Sequence, residues 1–245
     1  MACFYQLTLK KACQNDIILL TLRKMTKKER LSSLRLYVLI SSNITSMPVI
    51  DAAKLVIKGG ADAIQMREKD MDDGAFLTLA GELRELTSRA GIIFIVNDRL
   101  IIAKEVDADG VHLGQYDVSV HDARNILGEE KIIGVSTHRI EQARKAVFDG
   151  ADYISAGPVY STKTKPHEPV AGLGYISEVA SEIEIPFFAI GSITIKNLED
   201  VWRAGASRVA VCSAIIGARD IAKSTRIFRR VLQEQKSSPM MILCV

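Results

Sequence analysis

Short apolar runs, rich in β-branched and aromatic residues, alternate along this chain with longer amphipathic stretches. Runs at 35 to 40, 62 to 66, 92 to 97, 109 to 113, 131 to 135, 152 to 156, 186 to 190 and 207 to 211 have the length and make-up of buried strands. Between them, stretches such as DDGAFLTLAGELRELTSRA and HRIEQARKAVFDG space their apolar residues three and four apart, as one-faced helices do. Gly91, Gly150 and Gly205 follow such stretches, where a helix end favours a left-handed residue. Strand, helix, glycine, strand, repeated over 245 residues, predicts an α/β fold: a single (β/α)8 TIM barrel with an N-terminal extension.

The barrel is expected over 35–235. Residues 1–34 read as a basic extension, with no strand alternation and no glycine. Met25 opens MTKKERLSSLRLYVLI, an ordinary start for such a barrel, so translation is expected to begin there. Residues 236–245 read as a C-terminal tail with a proline and a small apolar end.

In such a barrel the C-terminal ends of the strands converge on one face, where loops far apart in sequence build a site. The runs here end on DAIQMREK, IIFIVND, DGVHLGQYD, KIIGVSTH, DYISAGPVYSTKTK, FFAIGSI and RVAVCSA. Arg67 and Lys69 leave one strand end and Lys165 ends the TKTK loop; three cations on one rim imply a polyanion, a diphosphate being suited to one planar fork and two mobile point charges. Adjacent side chains on a strand point apart, so Arg67 is not expected to be consumed by neighbouring Glu68. Asp98 and Asp117 reach the same rim from successive strands. Either could cap the helix that follows it, but two carboxylates beside a polyanion suit Mg2+, which takes one or two carboxylates and shares substrate phosphates and water.

Thr162 and Thr164 alternate with Lys163 and Lys165, a loop of hydroxyl and cationic donors able to bind phosphate. Gly191 and Ser192 in AIGSI, and Cys212 and Ser213 in VCSA, are expected to open new helices whose backbone N–H groups hold a second phosphate. Ser136 is a hydroxyl donor at the end of the fifth strand. His138 is expected to cap the next helix, His112 to be packed and hydrogen-bonded within its strand, and Cys212 to be an inert thiol.

Composition removes other classes. A net charge of +3, with aromatics at 6% and not interleaved with basic residues, argues against nucleic acid. The apolar patch from Asp16 to Leu22 is far shorter than a membrane span and lacks a signal-peptide cleavage pattern. Cys3, Cys13, Cys212 and Cys244 form no CxxC, and no histidine stands at zinc-finger spacing, so a reducing, cytoplasmic setting is expected.

The ordered set QMREK, ND, GVHLGQYD, GVSTH, GPVYSTKTK, AIGSI and VCSAI resembles the thiamine phosphate synthase family, from about Leu36 to Asp220. The resemblance implies a transferase joining hydroxymethylpyrimidine diphosphate to thiazole phosphate, with release of diphosphate. It also implies that Gln65, Met66, Arg67, Glu68 and Lys69 surround the pyrimidine diphosphate, with Asn97, Ser136 and Lys165 completing that site. Asp98 and Asp117 would hold Mg2+. Thr162, Lys163 and Thr164 would face the thiazole phosphate, seated on backbone around Gly191, Ser192, Cys212 and Ser213. Catalysis would rest on Arg67, Lys69, Lys165 and Ser136. Partners are expected to be small-molecule substrates, with neither nucleic acid nor membrane, and by analogy with other barrels a homodimer or small homo-oligomer.

Two positions depart from the family pattern. Ser192 replaces the second glycine of the seventh-strand turn, with a strain of about 1–2 kcal/mol expected if φ is positive there. The first strand reads LYVLISS where an aspartate is usual after LYxIT. A thiazole tautomerase on the same scaffold would use His138 and has no need of a diphosphate and metal shell; a non-catalytic phosphate-ligand sensor would bind without turnover.

Overall fold

The computed structural model describes residues 26–162 and 169–237. Eight strands, β1 (Leu36–Ile40), β2 (Ala63–Met66), β3 (Ile93–Asn97), β4 (Gly110–Leu113), β5 (Ile132–Thr137), β6 (Tyr153–Ala156), β7 (Phe187–Ile190) and β8 (Val209–Val211), follow one another in space as in sequence. Every neighbouring pair is parallel and β8 pairs with β1, which closes the barrel. All eight predicted strands are present, with boundaries shifted by one or two residues.

The connecting helices are α2 (Val49–Gly59), α3 (Asp73–Ala90), α4 (Leu100–Glu105), α5 (Val120–Leu127), α6 (Ile140–Phe148), α7 (Gly172–Glu182), α8 (Leu198–Arg203), α9 (Ser213–Ile216) and α10 (Ile221–Ser237), preceded by a short α1 (Lys27–Leu31). Gly91, Gly150 and Gly205 take φ values of 68°, 87° and 100°, the left-handed helix ends expected of them. No described helix is long and apolar enough to cross a membrane.

Strand alternation sorts the apolar residues into two cores. Leu36, Val38 and Ile40 of β1 face outward and pack with helix residues such as Ala52, Ala53 and Val56. Tyr37 and Leu39 face inward, where they meet Ala63, Ile93, Ile95, Ile132, Tyr153, Phe188 and Ala210. The interior is therefore packed from its lower end up to the strand C-termini.

The lower end is closed by a segment that the sequence placed in the extension. Thr26 and Glu29 form a capping box, the Glu29 amide donating to Thr26 Oγ1 at 3.2 Å and the Thr26 amide to Glu29 Oε2 at 2.7 Å. The helix so begun delivers Leu31 and Leu34, both buried, into the inner core. The barrel thus begins no later than Thr26 rather than at residue 35. The absence of strand alternation had hidden a one-turn plug. Residues 1–25 and 238–245 lie outside the described residues.

Carboxylates fasten the same end. Asp62, Asp109 and Asp152 stand immediately before β2, β4 and β6, and each accepts the amide of a residue in the preceding strand: Leu36 at 2.9 Å, Phe94 at 2.9 Å and Ile133 at 2.8 Å. An outer helix supplies each with an arginine: Arg229 for Asp62, Arg84 for Asp109 and Arg124 for Asp152. Before β8 the corresponding residue is Arg208, whose guanidinium donates to the Ser32 carbonyl at 2.9 Å and holds the plug instead.

Leu34→Ala is expected to cost about 2–4 kcal/mol of folding stability, the usual range for a buried leucine, in urea-induced unfolding. A loss below about 0.5 kcal/mol, as for an ordinary surface change, would show that residues 26–34 are not part of the core.

Candidate active site at the strand C-terminal rim

A cavity of about 870 Å3, open solvent at its mouth included, lies above the inner core at the C-terminal ends of the strands. Of the residues predicted from sequence, Gln65, Arg67, Asn97, Ser136, Thr162, Gly191, Ser192, Cys212 and Ser213 line it. Lys163, Thr164 and Lys165 lie outside the described residues.

Its floor is a buried hydrogen-bond chain. Gln65 Nε2 donates to the Tyr37 hydroxyl at 2.7 Å, and the Tyr37 and Tyr153 hydroxyls are 3.1 Å apart. Tyr153 Oη lies 2.9 Å from His112 Nδ1, while His112 Nε2 lies 2.9 Å from Ser136 Oγ and 3.3 Å from Ser155 Oγ. Burial pushes both phenols above their ordinary range, so each keeps its hydrogen. His112 is packed and hydrogen-bonded as predicted. Tyr37, Tyr153 and Ser155 were not identified from the sequence. A usable signal was Gly134, paired in register with Tyr153 on β6: a Cβ there would come within 2.1 Å of the Tyr153 ring, so glycine inside this strand marks a close approach.

The strand-end residues divide as the pleat requires. Met66 is fully enclosed in the outer core, so its side chain is not at the site. Glu68 turns away to the loop after β1, accepting from the Ser42 amide at 2.5 Å and the Ser42 hydroxyl at 2.7 Å. Ser41, which stands where the family aspartate follows LYxIT, is the residue before this pair, and its substitution has no structural explanation. Arg67 stays with the cavity. Its amide extends the ladder by donating to the Ile40 carbonyl at 3.0 Å, its side chain is buried, and Nη2 has no hydrogen-bond partner among the described residues. A buried, unpartnered guanidinium N–H on a residue that lines a cavity calls for an anion.

Arg99 holds this loop, a role with no mark in the sequence. It donates to the Glu68 carbonyl at 3.3 Å, to the Met71 carbonyl, and to Asp73 Oδ1 at 2.6 Å, while its guanidinium lies 4.2 Å from the Phe76 ring centroid. The left-handed φ of 62° at Asp98 sets the chain direction into Arg99.

Asp98 and Asp117 do not cap helices. The residues at those N-caps are Arg99 and Ser119, and Ser119 alone supplies a side-chain cap. Instead the two carboxylates meet, with Asp117 Oδ2 also accepting the Gly114 amide at 2.6 Å. Burial pushes the Asp98 carboxyl up to about 6, helped by its contact with Asp117 and opposed by Lys69 and Arg67. Two carboxylates forced together beside two cations fit a hard divalent ion that keeps other oxygen ligands from substrate and water. No group of three or more acidic, histidine or cysteine side chains forms a metal site among the described residues.

On the opposite side, Gly191 has φ 112° and a Cβ there would come within 2.6 Å of Pro158, while Ser192 has φ 48°. Ser192 thus carries the left-handed strain anticipated for it, and its hydroxyl donates to the Ser161 carbonyl at 2.7 Å. The helix expected to open at AIGSI does not. Asn197 holds a turn there, accepting from the Thr194 amide at 2.7 Å and donating to the Ser192 carbonyl at 3.1 Å, and α8 begins only at Leu198. Ser213 does open α9.

His138 lines the cavity but does not cap α6, whose N-cap is Arg139. The His138 amide donates to Gln142 Oε1 at 2.8 Å, and Nδ1 lies 2.5 Å from the Gly157 carbonyl, which draws the ring away from the helix end. Burial pushes the Cys212 thiol up to about 11, so it stays protonated and poorly nucleophilic.

A carboxyl raised on folding weakens the fold above its folded pKa, and that penalty fades as pH falls through about 6 towards the unfolded value of 3.8. Asp98→Asn is therefore expected to raise the unfolding midpoint at pH 8, with chelator, by roughly 2–5 °C after allowance for solvent screening. The gain should vanish near pH 4; an equal gain at both pH values would assign the effect to something other than charge.

A family model described as thiamine monophosphate synthase matches residues 36–215. The chain is 47% identical over 184 residues to the thiamine-phosphate synthase of Nostoc sp., a match covering 75% of this chain and 52% of that protein. It is 45% identical over 181 residues to the thiamine-phosphate synthase of Halalkalibacterium halodurans, covering 73% and 85% respectively. The chain therefore spans about half the length of the first relative and most of the second. Among solved structures, thiamine phosphate pyrophosphorylase from Pyrococcus furiosus superposes with a TM-score of 0.77 at 35% identity, covering 83% of this chain and 98% of that one. With the rim motifs distributed along that same span, the chain belongs to the thiamine monophosphate synthase family.

Proposed function

We propose that this chain catalyses the joining of 4-amino-2-methyl-5-(diphosphooxymethyl)pyrimidine to thiazole phosphate, giving thiamine phosphate and diphosphate, and that it works on these small molecules in the cytoplasm. The observation that carries the reading is Arg67, which lines the cavity beside Gln65, Asn97 and Ser136 and has a buried guanidinium nitrogen, Nη2, with no partner among the described residues. Family membership is the reason a diphosphate is the anion proposed for it.

The chemistry needs no protein nucleophile. The bond between the pyrimidine methylene carbon and the diphosphate oxygen breaks, its electron pair leaving with the oxygen. The electron-rich ring carries the positive charge, and the thiazole nitrogen then donates its lone pair to form the new carbon–nitrogen bond. Arg67 and Lys69 stabilise the charge gathering on the leaving diphosphate, in a site where Arg99 has already fixed their loop. Gln65, Asn97 and Ser136 orient the pyrimidine over the barrel floor, and the Gly191–Ser192 turn with Ser213 holds the thiazole phosphate, so that the reacting atoms meet in one cavity. Asp98 and Asp117 would hold Mg2+, which when bound neutralises part of the diphosphate charge. The protonated Cys212 fits a reaction without covalent catalysis.

The test is a diphosphate-release assay with each substrate alone and with both, with and without chelator. Release is expected only with both substrates and a divalent ion, and Arg67→Ala should lower kcat/KM by about 100- to 1,000-fold, as loss of one charge-stabilising donor does elsewhere. Isomerisation of the thiazole compound alone, or tight binding of both substrates without turnover, would overturn the reading.

A further inference from the structure

The buried chain on the cavity floor has a direction that its two ends determine. An amide nitrogen carries hydrogens and no available lone pair, so Gln65 Nε2 can only donate to Tyr37. Tyr37 keeps its own hydrogen, and the acceptor within reach in this chain is Tyr153 Oη at 3.1 Å, so donation to Tyr153 is the arrangement that leaves no buried hydroxyl hydrogen unpaired. Tyr153 must in turn place its own hydrogen on His112 Nδ1 at 2.9 Å. A neutral imidazole that accepts at Nδ1 carries its hydrogen on Nε2, which faces Ser136 Oγ at 2.9 Å, with Ser155 Oγ the longer neighbour at 3.3 Å. Run the other way, Tyr37 would accept from both Gln65 and Tyr153, and its own buried hydrogen would be left without an acceptor among these groups.

We propose that Gln65, Tyr37, Tyr153 and His112 form a one-way hydrogen-bond chain that fixes His112 as the Nε2–H tautomer and thereby turns the Ser136 hydroxyl hydrogen into the cavity, towards an acceptor on the diphosphate-bearing substrate. Ser136 touches the substrate; Tyr153 and His112 are positioning residues. The link to turnover rests on the reaction proposed above, whereas the tautomer does not. Tyr153 suits this role because its ring is locked: it meets Phe188 edge-on at 5.6 Å and occupies the space that Gly134 leaves open. Without such a chain, a serine next to a histidine could donate to the ring or to the ligand with little to choose between them.

The test begins with nitrogen-15 NMR of histidine-labelled full chain, free of substrate. His112 is expected to show hydrogen on Nε2, and a ring with hydrogen on Nδ1 would overturn the proposal whatever reaction the protein catalyses. Tyr153→Phe keeps the ring and removes the hydroxyl. It is expected to shift the His112 population towards the Nδ1–H form and to lower kcat/KM for the diphosphate substrate about 10-fold, the size of one directed hydrogen bond. In a Ser136→Ala background the same substitution should have no further effect on kcat/KM; an undiminished effect there would show that Tyr153 acts by packing and would sink the idea. Should Tyr153→Phe not fold, Tyr37→Phe breaks the chain one step earlier and is read by the same two measurements.

Discussion

Three rings meeting edge to face at the barrel axis set the terms for everything above and below them. Tyr37, Tyr153 and Phe188 lie 5.3 to 6.1 Å apart between centroids, steeply inclined to one another. Such contacts fill the interior at the density a barrel needs and tolerate little displacement. Below them Leu31 and Leu34 complete the apolar seal, while above them Tyr37 lines the cavity and its hydroxyl meets that of buried Tyr153. The same stack is therefore the lid of the core and the floor of the site. A floor that cannot move lets the polar chain on it be specific.

Around that floor the rim separates by charge and by donor type. One side gathers Arg67, Lys69, Asp98 and Asp117, where burial and like-charge contact keep the Asp98 carboxyl high while two cations pull it down. The charges are poised for a ligand that brings negative charge and a cation together. The other side offers a strained backbone turn at Gly191 and Ser192, with hydroxyl groups and few charges. The proposed function gives substrates with one and two phosphate groups different sides of this rim, a division that would follow from which strands end in QMREK and ND rather than in AIGSI and VCSA.

The sequence made the barrel legible because its strands are short, apolar and separated by helices with glycine ends, all of which leave period and composition behind. Rim residues were legible for the same reason: a strand end is a place that can be counted to. Pairings across the barrel were not. Glu68 answering Ser42, Arg99 tying down the Arg67 loop and Tyr153 reaching His112 join strands or loops well apart in the chain, and no local pattern announces them. The one-turn plug at Lys27–Leu31 was missed because a single helical turn has no measurable period. At His138 and at AIGSI a local rule was overruled from outside, by the Gly157 carbonyl in the first case and by the Asn197 turn in the second.

The aspartates before β2, β4 and β6 carry a further meaning. Each stitches a strand to its predecessor and to an arginine on an outer helix, so the lower face is built of two-strand panels that are each closed on themselves. The fourth panel lacks its aspartate and is shut by Arg208 reaching the plug. Mechanical integrity is thus concentrated at the end farthest from the ligands. The upper loops are tied to one another, as Ser42 is to Glu68, so their lengths and charges can change without the barrel having to be rebuilt beneath them.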